Sequence, residues 1–302
     1  MLALIAPGQG SQTPGMLNSW IDNATTKNLL TTWSKNIGLD LVHLGTTADA
    51  DEIKDTTHAQ PLIVATSLLA AQALNLDNVA VTAGHSVGEL AAAAISGAIS
   101  ASDALMLVRT RGVEMAKAAA LTPTGMSAVL GGDRNEVVAA IAELGLVAAN
   151  ENGAGQIVAA GALTALAALG ENPPLGARVR ALSVAGAFHT PYMLSAVEPL
   201  SDLAATVTTR QPVIPFISNK DGQVIRSGTE IVARIVNQIT NPVRWDLCMQ
   251  SLKTMGVTGV IELPPAGTLV GLLKRAVPEI ESFALKSALD LEAAQEFAGR
   301  HL

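Results

Sequence analysis

Three times along this chain a short apolar run breaks into glycine and then gives way to a helix-forming segment. Residues 2–6 run into Pro7-Gly8-Gln9-Gly10-Ser11-Gln12, and residues 79–83 run into Gly84-His85-Ser86-Val87-Gly88 with an alanine-rich helix expected over 89–95. Residues 257–263 meet Pro264-Pro265-Ala266-Gly267 before a helix expected over 268–275. Strand, loop and helix in series imply a parallel sheet whose carboxyl ends carry the ligand-binding loops. Only 3% of the 302 residues are aromatic while 49% are hydrophobic, so packing must rest on Ala, Val, Leu and Ile. That is the composition of many helices around a buried sheet, and the fold class expected is α/β.

Between about residues 122 and 185 the texture shortens. Strands are expected over 126–130, 156–160 and 178–184, with helices over 135–144 and 162–169, the pattern of a small α+β insertion. The division expected is therefore a large α/β domain from 1–121 and 186–302, interrupted by a small domain from 122–185. Neither a low-complexity tract nor an internal repeat is visible.

The first residues lack the basic region of a signal peptide, and the most apolar stretches are interrupted before reaching the roughly 20 residues of a membrane span. A cytoplasmic chain with no membrane partner is expected. A net charge of −7 with scattered basic residues argues against a nucleic-acid partner. The single cysteine, Cys248, sits in an apolar helical stretch and reads as core.

Gly84-x-Ser86-x-Gly88 between a strand and a helix is the pattern of a nucleophile elbow, although such a string arises by chance in about one chain in ten of this length. A helix start behind Ser86 would aim backbone N–H groups at an oxyanion formed there. A serine needs a base, and the histidines are His43, His58, His85, His189 and His301. His301 lies at the chain end, where fraying is expected, and His85 precedes the serine, so its ring should point elsewhere. His189 leaves an apolar run in a loop; the residues alone leave it open between base and structural histidine.

Several of these strings, in order, resemble the bacterial malonyl-CoA:acyl carrier protein transacylases. They are Pro7-Gly8-Gln9-Gly10-Ser11-Gln12, Gly84-His85-Ser86-Val87-Gly88-Glu89, Arg111-Gly112, Gln60-Pro61, Asn150-x-Asn152, Phe188-His189, Ser218-Asn219-Lys220-Asp221-Gly222, Asn241-Pro242-Val243-x-Trp245 and Gly267-Thr268-Leu269. The resemblance spans nearly the whole chain. It implies a hydrolase-like large domain with a parallel sheet and a ferredoxin-like small one, with Ser86 as nucleophile and His189 as base. The histidine would be oriented by the backbone carbonyl of Gln238, so loss of the Gln238 side chain should be mild. The N–H groups of Gln9 and Val87 would form the oxyanion hole. Arg111 would grip the malonyl carboxylate, a task suited to a planar guanidinium, while Arg109 reads as surface charge. Phe188 reads equally as a steric gate against methylmalonyl or as an ordinary core aromatic.

The reaction so implied moves malonyl from malonyl-CoA through a malonyl-serine ester to the phosphopantetheine thiol of acyl carrier protein, without metal or cofactor, fatty-acid synthesis being its commonest setting. A serine esterase or thioesterase is the rival, but it would place an acid between Ser86 and His189, and Asp103, Glu114 and Asp133 stand in no recognisable motif. A phosphate-binding module built on residues 7–12 lacks the P-loop lysine.

Overall fold

The computed structural model describes residues 1–22 and 24–302. Its strands are β1 (Leu2–Ala6), β2 (Val81–Gly84), β3 (Thr124–Gly131), β4 (Val147–Gly153), β5 (Gln156–Ala162), β6 (Ala177–Ala181), β7 (Phe216–Ile217), β8 (Val224–Ile225), β9 (Val243–Arg244), β10 (Gly259–Glu262) and β11 (Glu281–Ala284). They form two sheets, ordered β11-β10-β1-β2-β7-β8 and β6-β3-β5-β4-β9.

In the first sheet every neighbouring pair is parallel except β7 with β8. β1, β2 and β10 are wholly buried, as apolar runs covered by helices on both faces must be. The helix Thr56–Leu74 is buried along most of its length and packs inside the same core. Among the described residues no helix is long and apolar enough to cross a membrane.

The second sheet strings β3, β4, β5 and β6 together with the helices Arg134–Glu143 and Leu163–Glu171 in the order strand, helix, strand, strand, helix, strand. Its β3, β4, β5 and β6 pair antiparallel, which is the ferredoxin-like arrangement. β4 was not expected: its sequence, Val-Ala-Ala-Asn-Glu-Asn-Gly, is polar and its pairing with β5 shifts register twice, so no two-residue alternation survives. The short β9 comes from far along the chain and pairs parallel with β4, Asn150 opposite Val243 and Glu151 opposite Arg244, stitching the two sheets' surroundings together.

Other local readings need correction. β6 stops at Ala181 instead of running to 184, leaving an irregular strap that reaches His189. His301 is not frayed but buried, with Nδ1 3.0 Å from Thr258 Oγ1 and its ring 4.6 Å from that of Phe297. Cys248 is fully buried, as expected of a core residue, and burial holds its thiol well above the usual range.

Candidate active site

β1 and β2 end side by side, so the loops that follow them face the same crevice. Ser86 follows β2 and precedes the helix Gly88–Ile95, with a φ of 53°. A left-handed conformation in a non-glycine residue costs on the order of 1–3 kcal/mol and has to be enforced by its surroundings. The flanking glycines allow it: a Cβ on Gly84 would collide with the backbone of Gly88, and one on Gly88 with the carbonyl of Ala6. Asn219 then holds the turn from outside, accepting from Ser86 N at 2.8 Å and donating to Gly84 O at 2.7 Å.

His189, brought across by the strap after β6, lies with Nε2 2.7 Å from Ser86 Oγ. Its own φ is 61°. Nδ1 is 2.8 Å from the carbonyl of Gln238, at the end of the helix Gly228–Gln238. A carbonyl only accepts, so Nδ1 carries the proton and Nε2 presents its lone pair to the serine hydroxyl. Burial pulls the imidazole pKa down, to about 3, with the Arg111 charge adding to the effect and the Gln238 carbonyl opposing it. The resting base is therefore neutral.

Val87 is the N-cap residue of the helix Gly88–Ile95, and among the hydrogen bonds of the described residues none uses the N–H of Gln9 or Val87. The Ser86 N–H, by contrast, is already taken by Asn219. Both free donors flank Ser86 on the loops after β1 and β2. The Gln9 side chain donates to Thr56 Oγ1 at 3.1 Å and accepts from Gln60 at 3.3 Å, which ties its loop to the helix Thr56–Leu74.

Arg111 is 1% exposed in the middle of the helix Ala101–Leu121. Gly112 beside it lets that helix approach the start of the helix Thr56–Leu74, since a Cβ there would lie 2.9 Å from Thr56 O. The guanidinium donates to Gln60 Oε1 at 2.6 Å, Gln238 Oε1 at 2.9 Å and Ser86 Oγ at 3.3 Å. Among the described residues its Nε finds no partner. Burial draws its pKa down to about 10, opposed by the charge of Glu89, so the group stays cationic at neutral pH. A buried cation with a spare donor beside the Ser86 hydroxyl can pair with a small carboxylate. Arg109 is not the free surface charge expected: it is half-buried and donates to Thr57 O at 2.9 Å, pinning the same helix junction.

A cleft of about 260 Å³ holds these groups. Gln9, Ser86, Arg111 and His189 line one side, and Met126, Asn150 and Val158 of the second sheet the other. Phe188 also borders it while lying 6% exposed in the core. The remaining histidines are elsewhere engaged. His85 turns from Ser86 to Asn152 Oδ1 at 2.8 Å, His58 meets Glu52 O at 2.9 Å, and His43 meets Thr47 Oγ1 at 2.8 Å. Asp103 accepts from the hydroxyl of the N-cap Ser100, Asp133 caps the helix Arg134–Glu143, and Glu114 pairs with Lys117, so none of the three acids serves His189.

Sequence reasoning assigned no task to Glu89, Asn219 or the Gln60 side chain, although each stands in a motif. It also left the Gln238 side chain idle. Instead that amide makes four hydrogen bonds, to Arg111, Glu89, Asn219 Oδ1 and Ser86 O.

A family model described as an acyl transferase domain matches residues 4–295. The chain is 52% identical over 297 residues to the malonyl CoA-acyl carrier protein transacylase of Mycobacterium tuberculosis, covering 97% of this chain and 98% of that one. The crystal structure of MCAT from Mycobacterium tuberculosis superposes with a TM-score of 0.94 at 52% identity, over 98% of this chain and 99% of that one. A malonyl-transacylase in complex with a type II PKS acyl-carrier protein superposes with a TM-score of 0.91 at 28% identity, over 98% and 99% of the two chains. With sequence and fold matched from end to end, the chain belongs to the acyl transferase family, in its branch of malonyl CoA-acyl carrier protein transacylases.

Proposed function

We propose that this protein transfers malonyl from malonyl-CoA to the phosphopantetheine thiol of acyl carrier protein through an ester on Ser86, supplying fatty-acid synthesis in the cytoplasm. The observation that carries the reading is the buried Arg111 guanidinium, 3.3 Å from the Oγ that His189 also contacts at 2.7 Å. A carboxylate held by Arg111 places the carbonyl of a three-carbon diacid thioester beside the serine.

Ser86 Oγ attacks that carbonyl as His189 Nε2 takes its proton, and the N–H groups of Gln9 and Val87 receive the oxyanion. Collapse of the tetrahedral intermediate expels the coenzyme A thiolate, which takes the proton from His189. The carrier thiol then enters, loses its proton to His189, and attacks the ester; the serine oxygen leaves with that proton. Each half-reaction exchanges one acyl bond for another without redox change, so no cofactor is called for. When the malonyl carboxylate pairs with Arg111, the charge depressing His189 is offset, and the base strengthens once the correct substrate is bound. Met115, Met126, Val158, Leu182 and Val184 line the cleft with apolar surface, which disfavours the water that would hydrolyse the ester.

Intact-protein mass spectrometry tests this directly. Mixing with malonyl-CoA should add one malonyl mass, located on Ser86, and holo acyl carrier protein should remove it; an adduct lost to water at the same rate with or without carrier would mean a hydrolase.

A further inference from the structure

Glu89 is 1% exposed, three residues beyond the nucleophile in the first turn of the helix Gly88–Ile95, and the chemistry above does not use it. Burial pushes its carboxyl pKa up, to about 8, with the Asn219 N–H and the Arg111 charge pulling the other way. It forms no direct ion pair with Arg111. One oxygen accepts from Asn219 N at 2.6 Å and the other from Gln238 Nε2 at 2.6 Å. Each partner leads onward to a different part of the site.

The Asn219 branch leads to the elbow, since the Asn219 side chain bonds Ser86 N and Gly84 O. The Gln238 branch leads to the substrate-binding cation. An arginine can only donate, so the Gln238 amide must turn its oxygen to Arg111; its NH₂ then points to Glu89 Oε2, with Ser86 O and Asn219 Oδ1 at 3.2 and 3.1 Å. Glu89 is the acceptor at 2.6 Å that makes this orientation the favoured one. Turned the other way, the amide would set N–H against the guanidinium and push it off its line.

We propose that Glu89 is a positioning residue which, through the Gln238 side-chain amide, fixes the aim of Arg111 and thereby the preference for a malonyl over a neutral acyl group; this rests on the transfer reading above. Gln238 thus works twice, its backbone carbonyl orienting the base and its side chain orienting the carboxylate receptor.

Glu89→Gln separates the two branches. The new amide oxygen can still accept from Asn219 N, but its NH₂ meets that of Gln238, and the relay breaks. Asn219→Ala removes the elbow branch and the longer 3.1 Å contact of its Oδ1 with Gln238, but leaves the 2.6 Å bond between Gln238 and Glu89 in place. Initial rates of Ser86 loading from malonyl-CoA and acetyl-CoA would be measured by quenched mass spectrometry for wild type, Glu89→Gln, Gln238→Met, the double variant and Asn219→Ala. The malonyl-to-acetyl ratio of kcat/KM should fall about tenfold or more in Glu89→Gln. It should fall similarly in Gln238→Met and no further in the double variant, because both act through one relay. Asn219→Ala should slow both substrates and lower the ratio far less than Glu89→Gln does, because the 2.6 Å bond between Gln238 and Glu89 survives. An unchanged ratio in Glu89→Gln would overturn the inference, as would additive losses in the double variant. Should Glu89→Gln fail to fold, the ratio in Gln238→Met decides by the same criterion. A wild type that takes no malonyl would instead sink the transfer reading itself.

Discussion

Ser86 Oγ and His189 Nε2, the proposed nucleophile and base, sit 2.7 Å apart, yet the two stretches of chain that carry them are held by opposite means. Ser86 stands between a buried strand and a helix, and glycine sterics force its turn. His189 ends a strap with no regular structure over residues 182–188, pinned by polar contacts one at a time. Thr124 Oγ1 accepts from Ala187 N at 3.0 Å, Thr190 Oγ1 donates to Ala187 O at 2.6 Å, and Gln238 O takes the imidazole N–H at 2.8 Å. Both residues adopt positive φ. Strain at the serine is imposed by the architecture of the sheet, whereas strain at the histidine is imposed by a few hydrogen bonds. The first region should therefore respond to substitution all or nothing, and the second by degrees.

The largest effect belongs to the rigid region. Ser86→Ala should abolish the malonyl adduct and nearly all transfer while leaving the melting temperature close to that of wild type, because the hydroxyl supports chemistry and not packing. A malonylated Ser86→Ala protein would show that the nucleophile lies elsewhere. His189→Ala should come next, slowing acylation by about 10²–10⁴, the usual worth of general base catalysis, with deacylation by carrier slowed alike. Single-turnover rates for both halves check this, and a normal acylation rate would remove His189 from its role.

Arg111→Ala bridges the two regions, since the guanidinium touches Ser86 and lowers the basicity of His189. Truncating one side of a buried charged pair costs roughly 3–5 kcal/mol, which is about a hundredfold to several thousandfold in malonyl specificity. Acetyl loading should be spared or improved, because the depressed base regains strength. Equal losses with malonyl-CoA and acetyl-CoA would make Arg111 purely structural.

The same contrast decides what could be read from the chain. The strands β1, β2 and β10 and the elbow were legible, because buried parallel strands are continuous apolar runs and the glycines mark where they turn. Arg111 was singled out over Arg109 only by resemblance, through the pair Arg111-Gly112; that Gly112 lets two helices touch is visible only in the fold. The strap was misread as strand to residue 184, since its apolar residues serve the cleft and not a sheet. β7, β8 and β9 have two residues each, too few for any period. Glu89, Asn219 and the Gln238 amide were illegible as a group, because their meaning lies in contacts across 130 and 149 positions of sequence.

A gentler perturbation of the strap is Thr124→Val, which keeps the shape of the side chain but leaves the buried Ala187 N–H without its acceptor. That should cost about 1–3 kcal/mol in urea unfolding. Acylation should fall by less than about tenfold, the loss expected when a group is displaced by well under 1 Å. A loss as large as that of His189→Ala would mean that the strap is as rigidly coupled as the elbow.

The smallest expected effect is a near absence of one. An imidazole with its ordinary pKa of 6.5 would be mostly protonated at pH 5, and an enzyme relying on it would lose roughly thirtyfold in kcat/KM between pH 7 and that point. In the free enzyme His189 is held neutral to about pH 3, first by burial and then by the charge of Arg111. The acylation kcat/KM should therefore change by less than about twofold between pH 7 and 5. The sign for stability follows from the same depression. Neutral His189 favours the folded state over an unfolded chain whose histidine titrates near 6.5; that contribution is complete above pH 6.5 and is lost as pH falls toward 3. In Arg111→Ala one of the causes of the depression is gone, so the acid limit of acetyl loading should move to higher pH than in wild type. An inflection near 6.5 in the wild-type profile would mean that water reaches the imidazole, and that the strap holds His189 far more loosely than the elbow holds Ser86.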